Sequence, residues 1–223
     1  MSKKDSYPAT LKIDYPKKLD RVSTFFRIFW IIPIIIVLTI VSGTGFGIDA
    51  RNTGTEFRDG GMGIAGGLFI ATALMIIFRQ RYPKWWFDFN LELNKFSTRV
   101  GAYLALLTDE YPSTVEEQKI HLDAKYPNVE KDLDRWLPLF KWLLAIPHYF
   151  VLIFLIFGAG VATIIAWFSI VLTGNYPKGL FDYVVGVGRW SWRVTAYAFL
   201  LTTDEYPPFS LCSIILLVCS ILE

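Results

Sequence analysis

Two arginine–tyrosine pairs are the side chains in this sequence best placed to bind a charged group. Arg99 and Tyr103 are four residues apart, and so are Arg193 and Tyr197. Residues at this spacing share one face of an α-helix, so each pair offers a guanidinium beside a phenol. Such a pair suits the phosphate of an anionic lipid headgroup. Two further cations accompany the second pair: Arg189 and Lys178.

Adjacent carboxylates follow each pair, in Thr108-Asp109-Glu110 and in Thr203-Asp204-Glu205. Paired acids can bind Ca²⁺ or act as general acid and base. Here both acidic pairs precede Tyr-Pro and have no histidine nearby in the sequence. Ion pairs with Arg99 and Arg193 are therefore the better interpretation. In that case the arginines hold the fold together at the membrane surface and do not bind a ligand.

No other motif points to catalysis. His121 and His148 are too few and too far apart for a metal or haem site. Cys212 and Cys219 match neither a zinc pattern nor a disulfide framework. Residues 61–66 have the spacing of a dinucleotide-binding loop, but an apolar run follows them and no predicted strand precedes them. We therefore predict no catalytic residue, no metal, no cofactor and no enzymatic activity.

Small residues recur at intervals of four in the second apolar segment, at Gly63, Gly67 and Ala71. This spacing lets two membrane helices approach closely, because no bulky side chain keeps their backbones apart. We expect the stripe to pack within the protein or against a partner.

These motifs occur twice because the chain repeats itself. Tyr82-Pro83-Lys84 recurs as Tyr176-Pro177-Lys178 at an offset of 94 residues. Leu19-Asp20-Arg21 recurs as Leu133-Asp134-Arg135 at an offset of 114 residues. The smaller offset in the later motif indicates an insertion of 20 residues in the first copy.

The duplication divides the chain into two repeats and a tail. The insertion is assigned to residues 42–61, which are rich in glycine and charge. We predict repeat 1 over residues 1–112, repeat 2 over residues 113–209 and a short apolar tail over residues 210–223. Each repeat is expected to contain a strand, a membrane hairpin and an interfacial helix.

Composition indicates an integral membrane protein, with 53% hydrophobic and only 19% charged residues. Uncharged runs over residues 28–48 and 60–78 each fit one helix, since a bilayer core of ~30 Å takes ~20 apolar residues. The third run, residues 142–177, would reach roughly 54 Å as one helix. We therefore expect a turn at Gly158-Ala159-Gly160. The predicted fold is an all-α membrane protein with minor β structure and two transmembrane helical hairpins.

The distribution of charge predicts the orientation. Only Arg51 and Arg58, of 22 Lys and Arg, fall in the loop between the first two apolar runs. By the positive-inside rule, the regions that flank both hairpins are cytoplasmic. No charged residue lies at the centre of a predicted span, which disfavours a pump or a coupled transporter.

The flanking segments predict smaller elements. Residues 10–14 and 119–123 alternate polar and apolar side chains, as half-buried strands do, and they are expected to pair with each other. Residues 94–107 and 184–201 follow helical spacing and read as amphipathic helices that lie in the membrane interface.

Two phrases resemble a known family. They are Leu137-Pro138-Leu139-Phe140-Lys141-Trp142-Leu143-Leu144-Ala145-Ile146-Pro147-His148-Tyr149, and Arg189-Trp190-Ser191-Trp192-Arg193-Val194 through Asp204-Glu205-Tyr206-Pro207-Pro208-Phe209-Ser210-Leu211. The sequence resembles the uncharacterised bacterial membrane family called domain of unknown function 4389, in two tandem copies. The resemblance implies a protein of the bacterial inner membrane and brings no catalytic residues.

Three functional hypotheses follow from the sequence. The first is a noncatalytic accessory or organising subunit of a larger membrane complex, with other membrane protein subunits as partners. The second is a protein that binds or handles anionic lipid through the two arginine–tyrosine helices. The third is a channel or transporter built from parallel repeats. Membrane lipids are expected partners under every hypothesis, and nucleic acid is not.

Overall fold

A computed structural model of the 223-residue chain gives the structure, which describes residues 7–16, 18–42, 64–113, 118–129 and 133–211. This part of the chain is mostly helical and contains a small two-stranded sheet. In chain order the elements are β1 (Ala9–Ile13), α1 (Arg21–Ser42), α2 (Ile64–Leu74), a π-helical segment (Met75–Arg79), α3 (Lys84–Leu104), β2 (Ile120–Ala124), α4 (Pro138–Leu144), α5 (Ile146–Thr173) and α6 (Lys178–Ala198).

The two strands pair antiparallel, with Leu11 opposite Leu122 at the centre of the register. Both leucines are buried, while Lys12 and His121 lie on the exposed face. This is the inside–outside alternation expected of a half-covered sheet. The predicted strands at 10–14 and 119–123, and their pairing, are confirmed to within one residue.

Helix α5 corrects the predicted second hairpin. The turn expected at Gly158-Ala159-Gly160 is wrong, because α5 continues through these residues without a break. The helical structure is interrupted at Ala145, and α5 ends before Gly174, which adopts φ +76°. Glycine alone does not stop an apolar helix that its neighbours stabilise. Here Gly158 makes room for a packed side chain, since a Cβ would lie 2.6 Å from the Tyr183 Oη.

Within the described residues, α5 is the one helix that is by itself long and apolar enough to cross a membrane. Helix α1 reaches this length only if Arg21–Arg27 and Phe29–Leu38, which are bent by 51°, form one span. Residues Gly66–Arg79 form a shorter apolar helix. Gly63 and most of the predicted loop and tail, at 42–61 and 210–223, lie outside the described residues.

Helices α3 and α6 begin earlier than the predicted interfacial helices at 94–107 and 184–201. Each starts directly after the proline of a Tyr-Pro pair; this proline is the N-cap, and its missing N–H removes no hydrogen bond of the helix. Each ends shortly before a leucine with positive φ, Leu106 at 62° and Leu201 at 55°. The shared boundaries give the two helices equal lengths of 21 residues.

Helix α6 lies between α5 and the two-stranded sheet. On one side, the Tyr183 Oη donates to the Leu155 carbonyl of α5 at 3.1 Å. On the other side, the Arg189 Nε donates to the Leu11 carbonyl of β1 at 3.0 Å. The layers therefore run from α5 through α6 to the sheet, and the largest core cluster fills the space between them.

Candidate functional site

Two cations are buried where the helices meet. The Arg27 side chain in α1 is 3% exposed, and that of Lys141 in α4 is 0% exposed. They lie at the same offset of 114 residues as the matched Leu-Asp-Arg motifs. Burying a charge is costly unless a partner of opposite charge and hydrogen bonds compensate, so both positions demand an anion.

Each buried cation pairs with the first acid of a repeated Asp-Glu motif. Arg27 forms an ion pair with Asp109, and the Lys141 Nζ lies 2.6 Å from the Asp204 Oδ1. Lys141 also donates to the Thr203 carbonyl at 2.8 Å. The second oxygen of each carboxylate accepts a backbone N–H at the start of the same cation's segment. These bonds come from Asp20 at 2.8 Å and from Asp134 at 2.5 Å.

The tyrosines of the predicted headgroup sites contact these same cations. The Arg27 Cζ lies 4.4 Å from the centre of the Tyr103 ring, and the Lys141 Nζ lies 5.2 Å from that of Tyr197. Both distances allow a cation–π interaction. Arg27 also donates to the Tyr103 carbonyl at 3.0 Å. Both phenol rings are buried inside the protein.

The predicted arginines have other partners. Arg99 donates to the Ser113 carbonyl at 2.6 Å, and Arg193 donates to the Ser210 carbonyl at 3.4 Å. Among the described residues neither arginine forms the predicted ion pair with Asp109 or Asp204, because Arg27 and Lys141 from other helices occupy those two carboxylates. Arg189 donates a hydrogen bond to the Leu11 carbonyl of β1, and Lys178 is exposed at the first position of α6. Headgroup binding by these side chains stays a prediction.

The described part of the predicted stripe of small residues is open at Gly67. Gly67 is exposed, and a Cβ there meets no described atom within 4 Å. Ala71 is half-buried. Packing of the stripe against a partner stays a prediction.

The second half contains a buried polar contact that the first half lacks. His148 is fully buried, and its Nδ1 accepts a hydrogen bond from the Trp190 Nε1 at 3.1 Å. Its ring stacks on Phe209, with centroids 4.0 Å apart. Ile34 and Phe96 occupy the matched positions in the first half and pack in an apolar cluster.

Other matched contacts cross between the halves. The Tyr15 hydroxyl donates to the Tyr176 carbonyl, and the Tyr126 hydroxyl donates to the Tyr82 carbonyl. The matched residues Arg21 and Arg135 each lie at the end of an apolar helix of the other repeat. Arg135 donates to the Ile77 carbonyl at 2.6 Å, and Arg21 lies against Gly174 at the end of α5. An arginine from each predicted repeat therefore contacts the end of the apolar helix of the other repeat.

Sequence reasoning missed the central pair of cations, although the signal was present. Arg27 follows Phe26 and Lys141 follows Phe140, and each is six residues before a matched proline. Aligning the two copies residue by residue would have shown a basic residue retained at this position. Because the acid partners lie far along the chain, the sequence did not show that the cations are buried.

The arrangement suits structural support better than chemistry. Burial lowers the pKa of the Lys141 amine, while the neighbouring Asp204 carboxylate acts in the opposite direction. An amine with a lowered pKa can act as a base or nucleophile, but this one is closed from solvent and held by two partners. In the described part of the chain, no three His, Cys, Asp or Glu side chains form a group that could hold a metal ion.

Comparison with protein families finds one match. Residues 136–210 match a domain of unknown function, DUF4389. The DUF4389 match spans α4, α5 and α6 and includes Lys141, His148 and Asp204. It supports the predicted resemblance over repeat 2 and does not extend to repeat 1. Comparison with curated proteins finds no match. Comparison with solved structures also finds none.

Proposed function

We propose that the protein is a noncatalytic integral membrane protein that serves as an accessory or organising subunit of a larger membrane complex. The observation that carries this proposal is the uncovered apolar face of α5. Its large side chains there are all more than 40% exposed: Phe150, Ile153, Phe154, Ile156, Phe157, Val161, Ile164, Ile165, Phe168 and Leu172. A face of this size is costly in water and is stable against lipid tails.

Helix α1 adds a second apolar face. Its exposed large side chains are Val22, Phe25, Phe26, Phe29, Trp30, Ile32, Ile35, Ile36 and Val37. Because α1 packs against α5, the two faces belong to neighbouring helices. Together they support insertion of this side of the protein into a membrane.

The order of the layers indicates how the protein meets the bilayer. If α5 crossed the membrane, α6 and the sheet beside it would enter the hydrocarbon with it. Lys12 and Asp14 are exposed on the strand side, and a charge at the bilayer centre costs about 2.5–3.5 kcal/mol. We infer that α5 lies along the membrane, with its exposed face in the acyl region and the sheet in water.

The finer architecture is part of the same proposal. We propose that the two halves are tandem copies of one unit, although the family match covers only the second. The matched ion pairs of Arg27 and Lys141, and the reciprocal bonds of Tyr15 and Tyr126, support this view. Bacterial inner-membrane location, with cytoplasmic flanks, completes the proposal.

A role as a subunit is tested by co-purification. Tagged protein is extracted from its native membrane in mild detergent, and the recovered proteins are quantified by mass spectrometry. We expect one membrane protein partner at fixed stoichiometry, which returns this chain when the partner itself carries the tag. Failure of the reciprocal purification would contradict the proposed role.

The open face around Gly67 gives that experiment a matched pair of variants. Gly67→Leu fills the predicted partner surface on α2, whereas Gly101→Leu fills an equally open position on α3. We expect the first variant to lose the partner and the second to retain it. Equal retention in both variants would remove the small-residue stripe from the interface.

Binding of anionic lipid is a second candidate function, and one observation favours it. Arg79 and Arg81 are exposed at the end of the apolar helix Gly66–Arg79. Cations at the end of an apolar helix lie at headgroup depth when that helix enters a membrane. This position differs from the arginine–tyrosine pairs predicted from the sequence.

A further inference from the structure

An open cleft of about 600 Å³ lies between the segment that joins α2 to α3 and the segment that follows β2. Its lining residues are Gln80, Arg81, Tyr82, Pro83, Tyr126, Pro127, Asn128 and Val129. We propose that this cleft binds the phosphate-bearing headgroup of an anionic membrane lipid. The inference rests on the membrane location and the anionic-lipid role proposed above, and it adds a defined binding site to them.

The charge around the cleft favours an anion. Arg81 lines it, and none of its eight described lining residues is acidic. Along the chain, the lining segments adjoin three exposed cations, Arg79, Lys84 and Lys125, and Val129 is followed in the sequence by Glu130-Lys131-Asp132. The side-chain amide of Gln80 and the guanidinium of Arg81 can both donate hydrogen bonds to phosphate oxygens.

The surroundings of the cleft favour a lipid over free phosphate. Phe78, Trp85 and Trp136 lie close in sequence to its lining or to its supporting arginine, and they are 72%, 69% and 63% exposed. Exposed tryptophan beside basic residues is typical of the membrane–water interface, where an indole sits at headgroup level. The same side chains would contact the glycerol and upper acyl region of a lipid bound through its phosphate.

The walls of the cleft are held in place before a ligand arrives. The Tyr126 hydroxyl donates to the Tyr82 carbonyl and so joins the two lining segments. Arg135 donates to the Ile77 carbonyl at 2.6 Å and secures the end of the apolar helix. At Gln80, with φ 46°, the chain leaves the helix in the left-handed conformation. A preformed site loses less conformational entropy when it binds.

The second half supplies an internal control. Thr173, Gly174 and Asn175 occupy the positions matched to Arg79, Gln80 and Arg81. The conformation is the same, since Gly174 also has positive φ, but the two arginines are replaced by uncharged residues. The two arginines of this wall are therefore specific to the first copy, whereas Asn128 and Val129 of the other wall match Lys17 and Lys18 in the sequence. Arg81→Asn converts the key cation of the cleft to the residue that the second half carries.

The test measures lipid binding by the full chain in nonionic detergent. Short-chain phosphatidylglycerol and phosphatidylcholine are titrated separately, and binding is followed by native mass spectrometry. We expect preference for phosphatidylglycerol, with Arg81→Asn weakening its binding about fivefold, the effect of one basic residue near an anionic headgroup. Lys12→Asn, which removes an exposed cation on the sheet and outside every proposed headgroup site, should bind like wild type.

Three results would overturn the inference. They are equal binding by wild type and Arg81→Asn, equal loss in Arg81→Asn and Lys12→Asn, and competition by inorganic phosphate at the same concentration as lipid. Circular dichroism of each variant checks that the fold is retained. Because binding is measured in detergent, a negative result leaves the proposed membrane insertion standing. Failure to insert into vesicles would count against the proposed function instead.

Discussion

Lys141 is fully buried in α4, and its Nζ lies 2.6 Å from the Oδ1 of Asp204 in the segment that follows α6. The same carboxylate accepts the backbone N–H of Asp134 through its other oxygen. One acid therefore joins the start of the segment that matches DUF4389 to the end of that segment. Arg27, Asp109 and Asp20 repeat this arrangement in the first half.

Replacing Lys141 by methionine should strongly destabilise the fold. The change keeps the length of the side chain but leaves Asp204 without its cation in a mostly buried place. Removing one member of a buried ion pair typically costs about 3–5 kcal/mol. Chemical unfolding in detergent micelles, followed by circular dichroism, measures this loss.

Lys119→Met is the matched control for that substitution. Lys119 also pairs with an acid, Glu110 at 2.9 Å, but this pair lies on the surface. We expect little change, because solvent already screens the interaction. Equal unfolding midpoints for the two variants would show that the buried pair of Lys141 does not support the fold.

Gly158→Ala should disturb the packing of α5 on α6. The added methyl group would lie 2.6 Å from the Tyr183 Oη, so the ring must move and its bond to Leu155 weakens. Such overpacking typically costs about 1–3 kcal/mol. The unfolding free energy should partly recover in Gly158→Ala/Tyr183→Phe, which removes the clashing hydroxyl.

Gly160→Ala separates packing from a turn at this point of the chain. Its Cβ would meet no described atom within 4 Å. Alanine also favours a helix over glycine by about 1 kcal/mol. We therefore expect unchanged or higher stability, whereas a marked loss in Gly160→Ala would favour a glycine turn over a continuous α5.

His148→Ile should destabilise the second half, although isoleucine is the residue at the matched position of the first. The substitution leaves the buried Trp190 N–H without its acceptor, at a cost of about 1–3 kcal/mol. The double variant His148→Ile/Trp190→Phe restores an apolar pair like Ile34 and Phe96. We expect it to be more stable than His148→Ile alone in a double-mutant cycle. An additive loss would mean that the hydrogen bond contributes nothing.

Gly174→Ala and Gln80→Gly should act in opposite directions. Both residues end a helix with positive φ, 76° and 46°. Alanine at Gly174 is strained by about 1–2 kcal/mol and its Cβ would approach the Arg21 Nε to 3.3 Å. Glycine at Gln80 relieves the corresponding strain. Thermal unfolding midpoints should therefore fall in the first variant and rise in the second; two shifts of the same sign would refute this.

The elements with strong local patterns were predictable. Alternation in Thr10-Leu11-Lys12 and its counterpart identified both strands, because sheet burial follows a period of two. The turn expected at Gly158 failed for a tertiary reason: the glycine there accommodates Tyr183 of another helix. The predicted starts of α3 and α6 are too late. Both helices begin directly after a proline N-cap, before the amphipathic spacing on which the prediction depends.

The site was predictable only in part. Tyr103, Tyr197 and the first acid of each repeated pair do neighbour cations, but these are Arg27 and Lys141. Sequence proximity favoured Arg99 and Arg193, whereas the fold brings in Arg27 and Lys141 from other helices. Such long-range pairing depends on how helices cross, which local spacing does not determine.

The central proposal is that the exposed face of α5 lies along the membrane while the sheet stays in water. Depth-dependent fluorescence quenching tests it most directly. After replacement of both native cysteines by serine, single cysteines are introduced at Phe150, Phe157, Phe168 and His121 and labelled. The protein is then reconstituted in vesicles whose lipids carry quenchers at known depths.

We expect the three labels on α5 to be quenched at one shared depth, and the label at His121, on the exposed face of the sheet, to escape quenching. A helix that crosses the bilayer would place Phe157 deep and both Phe150 and Phe168 shallow. That profile, or the absence of quenching along α5, would contradict the proposed placement.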